Sequence, residues 1–316
     1  MKLDLAVIVV NKGICMHYSP VNPPTYPNRV LKFAVTKFKR TVLWDYYYRS
    51  VPGIKIEASV PHDNHEIQQE IIEELESSGY DIEPYRIDIG DFRCYLERAS
   101  YGDFPGYYHG GRGGLFVEKS LEHYLATKFL DLSKDDTYID VANAGSPVPE
   151  IYHELFGCRV YRQDLNFPQG VNNNVIGGDA AEMPVPDGFA GKMALHCSFE
   201  HFEQDSDIGF IREASRVLGT AGRLFIAPLY LFNEYAFQTD PIVLPRGSNL
   251  FDPQAVVYCA RGYGNRHGRF YNVAQFTSRI RNNLGPLRLT IHVVQNEKEV
   301  DPRCYVKFVA LLEKRP

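Results

Sequence analysis

The chain has 316 residues, 44% hydrophobic and 23% charged, with a formal net charge of -5, enough to bury one large core or two moderate ones and free of disordered, collagen-like or repeat signatures. The acidic balance argues against a nucleic-acid partner held by bulk electrostatics, leaving open a local basic patch. Six cysteines (Cys15, Cys94, Cys158, Cys197, Cys259, Cys304) are scattered without metal-ligand spacing and read as reduced thiols of a cytoplasmic protein.

At the amino terminus, the apolar run of "MKLDLAVIVVNKG" is short and broken by Asp4, too little for a signal peptide or membrane span, so it reads as a first strand. "GIKIEASV" alternates like a strand. "PHDNHE", residues 61–66, gathers His62, Asp63, His65 and Glu66; without a third ligand in view it reads as a capping segment, and no metal is expected. "HEIQQEIIEELESSGY" then spaces Ile67, Ile71 and Leu75 one helical turn apart, with Asp63 or Asn64 to cap it and Gly79 to stop it. "YRIDIGDF" alternates again as a strand. Residues 1–110 are thus expected as an α+β region, and "YYHGGRGG" (107–114), with four glycines around Arg112, as a boundary or a mobile lid.

From residue 111 the pattern is regular. A helix over "VEKSLEHYLATKFLDL" leads to a strand at "TYIDVAN", a helix opened by Pro149, strands at "CRVYRQD", "NVIGGD" and "KMALHCS", a helix at "DIGFIREASRVLG" and a strand at "GRLFIAPLY". A helix around "NVAQFTSRIRNN" and two strands, "RLTIHVVQN" and "CYVKFVALLEK", complete the chain. Apolar strands alternating with amphipathic helices predict a doubly wound α/β sheet, seven-stranded and mostly parallel, ending in an antiparallel hairpin. Residues 111–316 form this domain, with an insert at 231–271.

Residues 178–228, "GDAAEMPVPDGFAGKMALHCSFEHFEQDSDIGFIREASRVLGTAGRLFIAP", run from an acid after the third strand through "MPVPDG", "EHF" and "RVL" into the fifth strand. In this order, and over roughly residues 117–316, the chain resembles the class I S-adenosylmethionine-dependent methyltransferases. The resemblance implies a Rossmann-like domain and S-adenosylmethionine as cofactor. Asp140 matches the acid of the family's first motif, but its glycine positions carry Ala142, Ala144 and Ser146, with Gly145 between. A dinucleotide needs a glycine-rich nest for its pyrophosphate; S-adenosylmethionine has no phosphate, so this loop disfavours a nicotinamide-dependent oxidoreductase more than a methyltransferase. By the resemblance, Asp140 would accept from the methionine amine and amides near Gly145 would meet the methionine carboxylate. Asp164 would hold the ribose hydroxyls, Leu165 pack on the adenine, and Asp179 with Ala180 meet the adenine edge.

His201, in "FEHF", and Glu200 are the candidate bases for a hydroxyl proton; each also has a bland reading, as a helix-start packing residue or a first-turn charge. His196, within the strand, reads as a pocket wall or a core histidine. Arg261, Arg266, His267 and Arg269 in the insert would form a basic, aromatic-lined mouth for an anionic acceptor, or else a solvated loop. With 21 tyrosines, the chain leans toward a sugar or anionic glycan acceptor, an O-methylation, and it also resembles methyltransferases found among polysaccharide-assembly proteins. The alternative is a non-catalytic binding or scaffolding module on an eroded methyltransferase fold.

Overall fold

The computed structural model describes residues 53–315, apart from residues 57, 241–242 and 244–250. The strand expected at "MKLDLAVIVV" and Cys15 lie outside the described residues. The first strand described is β1 (Lys55–Ile56). Helix α1 (His65–Ser77) starts where Asn64 accepts from the amides of Glu66 and Ile67 at 2.9 and 3.1 Å, so Asn64 is the cap. It buries Ile71 and Leu75.

Next come β2 (Ile82–Tyr85) and α2 (Ile89–Ala99). The alternation of "YRIDIGDF" predicts a strand, but only Tyr85 belongs to one. Asp88 accepts from the Asp91 amide at 3.0 Å and starts a helix instead, a local side-chain bond overriding the pattern.

The chain continues through α3 (Phe116–Leu130), β3 (Thr137–Asp140), α4 (Val148–Phe156), β4 (Arg159–Asp164), β5 (Gly170–Asn172) and β6 (Val175–Gly177). Then follow β7 (Ala190–His196), α5 (Ser206–Val217), β8 (Leu218–Ala227), β9 (Ala236–Thr239), β10 (Val256–Cys259) and β11 (Gly268–Phe270). Helix α6 (Val273–Arg279), β12 (Leu287–Val294) and β13 (Phe308–Lys314) come last.

The main sheet has the order β2-β12-β13-β8-β7-β3-β4-β6-β5. At its centre β8, β7, β3, β4 and β6 run parallel, while β13 is antiparallel to both β8 and β12. Among the described residues it has nine strands, not the seven expected, because β2 adds parallel to β12 at one edge and β5 adds antiparallel to β6 at the other. Strand β2 comes from the segment expected as a separate region, so the sheet runs across the 110/111 boundary. A second sheet, β1-β10-β9-β11, joins three strands of the insert to β1.

Side chains alternate between two cores. Ile139, Met193, Leu195, Leu224 and Ile226 face α5, while Tyr138, Ala194, Phe225 and Ala227 face Leu121 and Leu125 of α3 and Ile151 of α4. Both faces are therefore covered, as a parallel sheet requires. The strand order reverses between β3 and β7, and ligands in such sheets bind outside the carboxyl ends of the strands at that point. Asp140 and His196 are the last residues of those two strands.

Candidate active site

The turn after β3 keeps the backbone that glycines would favour, although its residues carry a Cβ. Ala142 and Ala144 lie at φ 52° and 49°, beside Gly145 at φ 82°; the left-handed region costs an L-residue roughly 1–2 kcal/mol. What holds them there is a set of bonds that uses up the amides of the turn. Ala142 N donates to Gln163 Oε1 (3.1 Å), Ala144 N to Asp164 Oδ2 (2.8 Å) and Gly145 N to Asn143 Oδ1 (3.1 Å). The turn therefore presents no open nest for a phosphate. For the same reason the Gly145 amide is not the open donor expected for a methionine carboxylate.

Asp140 is sealed. It is 2% exposed, with Oδ1 accepting from Tyr138 Oη at 2.8 Å and Oδ2 from Asn143 Nδ2 at 2.6 Å. Burial pushes its carboxyl up to about 7, against those two hydrogen bonds. His196 Nε2 stands 3.6 Å from Asp140 Oδ1, and burial, with Lys119 nearby, pulls this imidazole down to about 3. His196 is thus a neutral wall residue, edge-on to His123 with ring centres 4.8 Å apart.

Asp164 ends β4 with Oδ1 accepting from both the amide and the side chain of Asn166, each at 2.8 Å, and Oδ2 accepting from Ala144 N. A carboxylate has about four acceptor positions, so one remains on Oδ2. Beside it Leu165 is 71% exposed, the more exposed of two large hydrophobics at the surface among the described residues. Asp179 is exposed, its Oδ1 accepting from the Ala181 amide at 2.9 Å, while Ala180 is buried. Gly177, which leads to Asp179, lies so close to the backbone at Pro168 that a Cβ would meet its carbonyl oxygen at 1.9 Å. The strand ends thus bring together Asp164 with one open acceptor position, the exposed side chain of Leu165 and the exposed carboxylate of Asp179. The amides of the turn and Asp140, expected to meet the cofactor's amino-acid end, are bonded within the chain.

Beyond β7, Cys197 sits at φ 49°, and strain of this kind clusters at functional sites. Its thiol lies 3.2 Å from Glu200 Oε1 and 3.5 Å from Tyr230 Oη. Glu200 is buried, and its Oε2 has no partner. His201 donates from Nδ1 to the His267 carbonyl at 2.5 Å and turns Nε2 toward Glu200 Oε1 at 3.5 Å. In the neutral ring this fixes the lone pair on Nε2, the state a general base needs.

The insert arginines are mostly not an open mouth. Arg269 is fully buried, paired with Asp207 and donating to Gln204 O at 2.6 Å. Arg279 of α6 donates to both oxygens of Asp207, at 2.7 and 2.9 Å, and Tyr271 Oη donates at 2.7 Å. Burial would raise the Asp207 carboxyl, but Arg279 and Arg269 outweigh it and hold it below the ordinary range. Arg266 forks onto Glu203, at 2.5 and 2.6 Å. His267 is buried, its Nδ1 donating to the Glu200 carbonyl at 3.1 Å, so with His201 it clips the insert to the loop after β7. Arg261 alone of the four is exposed.

Sequence reasoning missed the polar side of α3. Glu118, Lys119, Glu122 and His123 are all buried. Lys119 Nζ donates to Glu122 Oε1 at 2.6 Å and to Tyr305 Oη at 3.2 Å, and Glu118 Oε2 accepts from the Tyr305 amide at 2.8 Å. Tyr101 Oη lies 2.6 Å from His123 Nδ1. Burial pushes Glu118 up to about 7 against the charge of Lys119, and raises Glu122 further. Such a polar stripe at helical spacing is ordinarily a solvated face. His62 was missed for its own reason: "PHDNHE" reads as a cap, yet its ring packs on Tyr230, Phe270 and Tyr305.

No family model matches the chain, and no curated protein matches it. Among solved structures it is similar to 1,6-didemethyltoxoflavin-N1-methyltransferase of Burkholderia thailandensis with bound 1,6-didemethyltoxoflavin and S-adenosylhomocysteine, at 12% identity over 75% of this chain and 94% of that one, TM-score 0.42. It is also similar to a SAM-dependent methyltransferase of Methanosarcina mazei (12%, 60% and 97%, TM-score 0.42). A third is geranyl diphosphate methyltransferase in complex with GPP and sinefungin (13%, 71% and 100%, TM-score 0.42). Among the described residues no helix is long and apolar enough to cross a membrane, and no cluster of His, Cys, Asp or Glu could hold a metal ion.

Proposed function

We propose that the chain is an S-adenosylmethionine-dependent methyltransferase acting on a hydroxyl oxygen, in the cytoplasm. The observation that carries this is the row of strand-end residues Asp164, Leu165 and Asp179 beside a turn whose amides are already spent. A pyrophosphate finds no nest there, whereas an adenosyl group finds an acceptor, an apolar face and a carboxylate. When bound, the cofactor would supply a methyl group on a sulfonium, itself a good leaving group. Asp164 would accept from a ribose hydroxyl, Leu165 cover the adenine and Asp179 accept from its amino group. His201 Nε2, or the open Oε2 of Glu200, would take the hydroxyl proton. Positioning of the acceptor would contribute most of the acceleration.

A sugar acceptor keeps the support of the paired rings of Tyr230 and Tyr305, 6.4 Å apart. An anionic one loses that of Arg269 and Arg266, which are paired within the chain. Calorimetry with S-adenosylhomocysteine tests the reading: saturable heat is expected. A second reading, a non-catalytic module on this fold, is favoured by the sealing of Asp140 and of the turn. Absence of heat and of any thermal shift at millimolar ligand would select it.

A further inference from the structure

A cleft opens toward the end of the main sheet opposite the strand ends described above. Strands β7 and β8 are parallel, with His196 beside Ala227 at their carboxyl ends. Strand β13 pairs with β8 back from there only as far as Glu313 beside Arg223. Just before that pair Ala221 sits at φ 59°, and the register between the two strands goes no further. On the other side of β13, Arg288 of β12 stands opposite Glu313, so Arg288, Glu313 and Arg223 form one row across three strands. With Ala221, Lys314 and Arg315 they line an open cleft of about 430 Å³, a volume within the roughly 300–1,000 Å³ of small-molecule sites. Four of its six lining residues are cations and one is an anion, in a chain whose net charge is -5.

We infer that this cleft binds a small molecule carrying two or more adjacent negative charges, a diphosphate or a tricarboxylate, at a site separate from the strand-end carboxylates. The bonds that the cations make inside the chain orient them and leave donors over, because each guanidinium has five. Arg223 Nε lies 2.9 Å from Glu313 Oε1 and Nη1 donates to the Phe129 carbonyl at 3.1 Å, so Nη2 is open. Arg288 pairs with Asp81 through Nη2, which leaves Nε and Nη1. Arg315 is exposed and has no ion pair among the described residues. Lys314 is the spent one, donating to the Ser215 and Leu218 carbonyls at 2.7 and 2.6 Å. Forked donors from three strands suit the oxygens of phosphate or carboxylate. Acids interrupt the patch on every side: Glu313 and Asp81 within it, Glu83 near Arg288, and Asp131 and Asp136 around Lys192 beyond Arg223. A long polyanion needs a continuous basic stripe and would run onto these carboxylates, whereas a compact anion fits between them.

The test is calorimetric titration of the full chain with inorganic pyrophosphate and with citrate at low salt. Saturable heat at one site per chain is expected, and the ratio of the two affinities tells a phosphate ligand from a carboxylate one. Arg288→Gln and Arg315→Gln change exposed side chains; each should weaken binding about threefold, and the two together about tenfold. Glu313→Gln removes the acid within the row and should tighten binding, a sign that damage to the fold would not produce. Arg98→Gln, an exposed arginine of α2, takes away the same charge elsewhere and should leave the affinity unchanged. No saturable heat with either anion, an equal loss in Arg98→Gln, or displacement of pyrophosphate by a short DNA strand would overturn the inference. So would loss of anion binding when S-adenosylhomocysteine is present, which would put the anion in the cofactor's place. The outcome does not depend on whether the chain is a methyltransferase.

Discussion

Two buried polar clusters flank the loop after β7, and they are built in opposite ways. Around Asp207, every carboxylate oxygen meets a donor: Arg269, Arg279 and Tyr271 converge on it, and the two guanidiniums also take the Gln204 carbonyl. Around Tyr230, Glu122 and Glu200 each keep one oxygen without any donor. Both carboxylate sites are buried, so burial does not separate them; what differs is the carboxylate's own partners. The Asp207 cluster ties the insert and α6 to α5, although Arg269 Nε keeps no partner, whereas Glu122 and Glu200 each leave an oxygen unpaired.

The largest expected effect comes from breaking the Asp207 cluster. Asp207→Ala would strand the buried guanidinium of Arg269 and the partly buried one of Arg279 and should cost about 3–5 kcal/mol of stability, read from the midpoint of denaturant unfolding; a loss below about 1 kcal/mol would mean that the network is not a brace. Next is Asp140. Its carboxyl, at about 7 in the fold against 3.8 ordinarily, holds a proton that the unfolded chain has released between those values. The stability this proton confers is fully present below about pH 4 and is lost as pH rises through about 7. Asp140→Asn should therefore gain on the wild type across that window, by on the order of 4 kcal/mol in all. His123 and His196, held neutral by burial, act in the opposite sense, so the difference between the two proteins' melting profiles is the quantity to measure.

Asp164→Ala removes the acceptor aimed at the ribose and should weaken S-adenosylhomocysteine binding about tenfold or more, from a lost charge-assisted bond of about 1.5–3 kcal/mol. Unchanged affinity in calorimetry would show the ribose to lie elsewhere. Ala142→Gly and Ala144→Gly should each raise stability by about 1 kcal/mol, because a glycine reaches their positive φ without the Cβ clash; thermal melts that fall instead would refute the strain. The smallest effect belongs to the open cluster. Glu200→Gln should shift stability by no more than about 0.5–1 kcal/mol, since Oε2 has nothing to lose, and a large destabilisation would place Glu200 with the braces.

Much of the parallel core was readable along the chain, since β3, β4, β6, β7 and β8 each fall within a segment whose pattern reads as a strand. The edges were not. Strand β2 is half-exposed, its end residues Ile82 and Tyr85 packing on opposite cores and its middle residues more exposed, and its place beside β12 depends on a partner some two hundred residues away. Of the candidate site, Asp164, Leu165 and Asp179 follow from their position just after strands. The sealing of Asp140 depends on Asn143 and Tyr138 together, and Arg269 could be read equally as a ligand or a brace until Asp207 was found against it.

What the sequence determined by itself is local: where apolar periodicity makes a strand or a helix, which acids close which strands, and that the turn after β3 lacks a glycine nest. Those features are set by neighbours a few residues apart, through backbone sterics and side-chain spacing. The tertiary structure decided which polar side chains are satisfied. A lone pair is filled or left open by groups from α3, the loop after β7, the insert and the carboxyl-terminal strands, and no spacing along the chain records whether those groups meet.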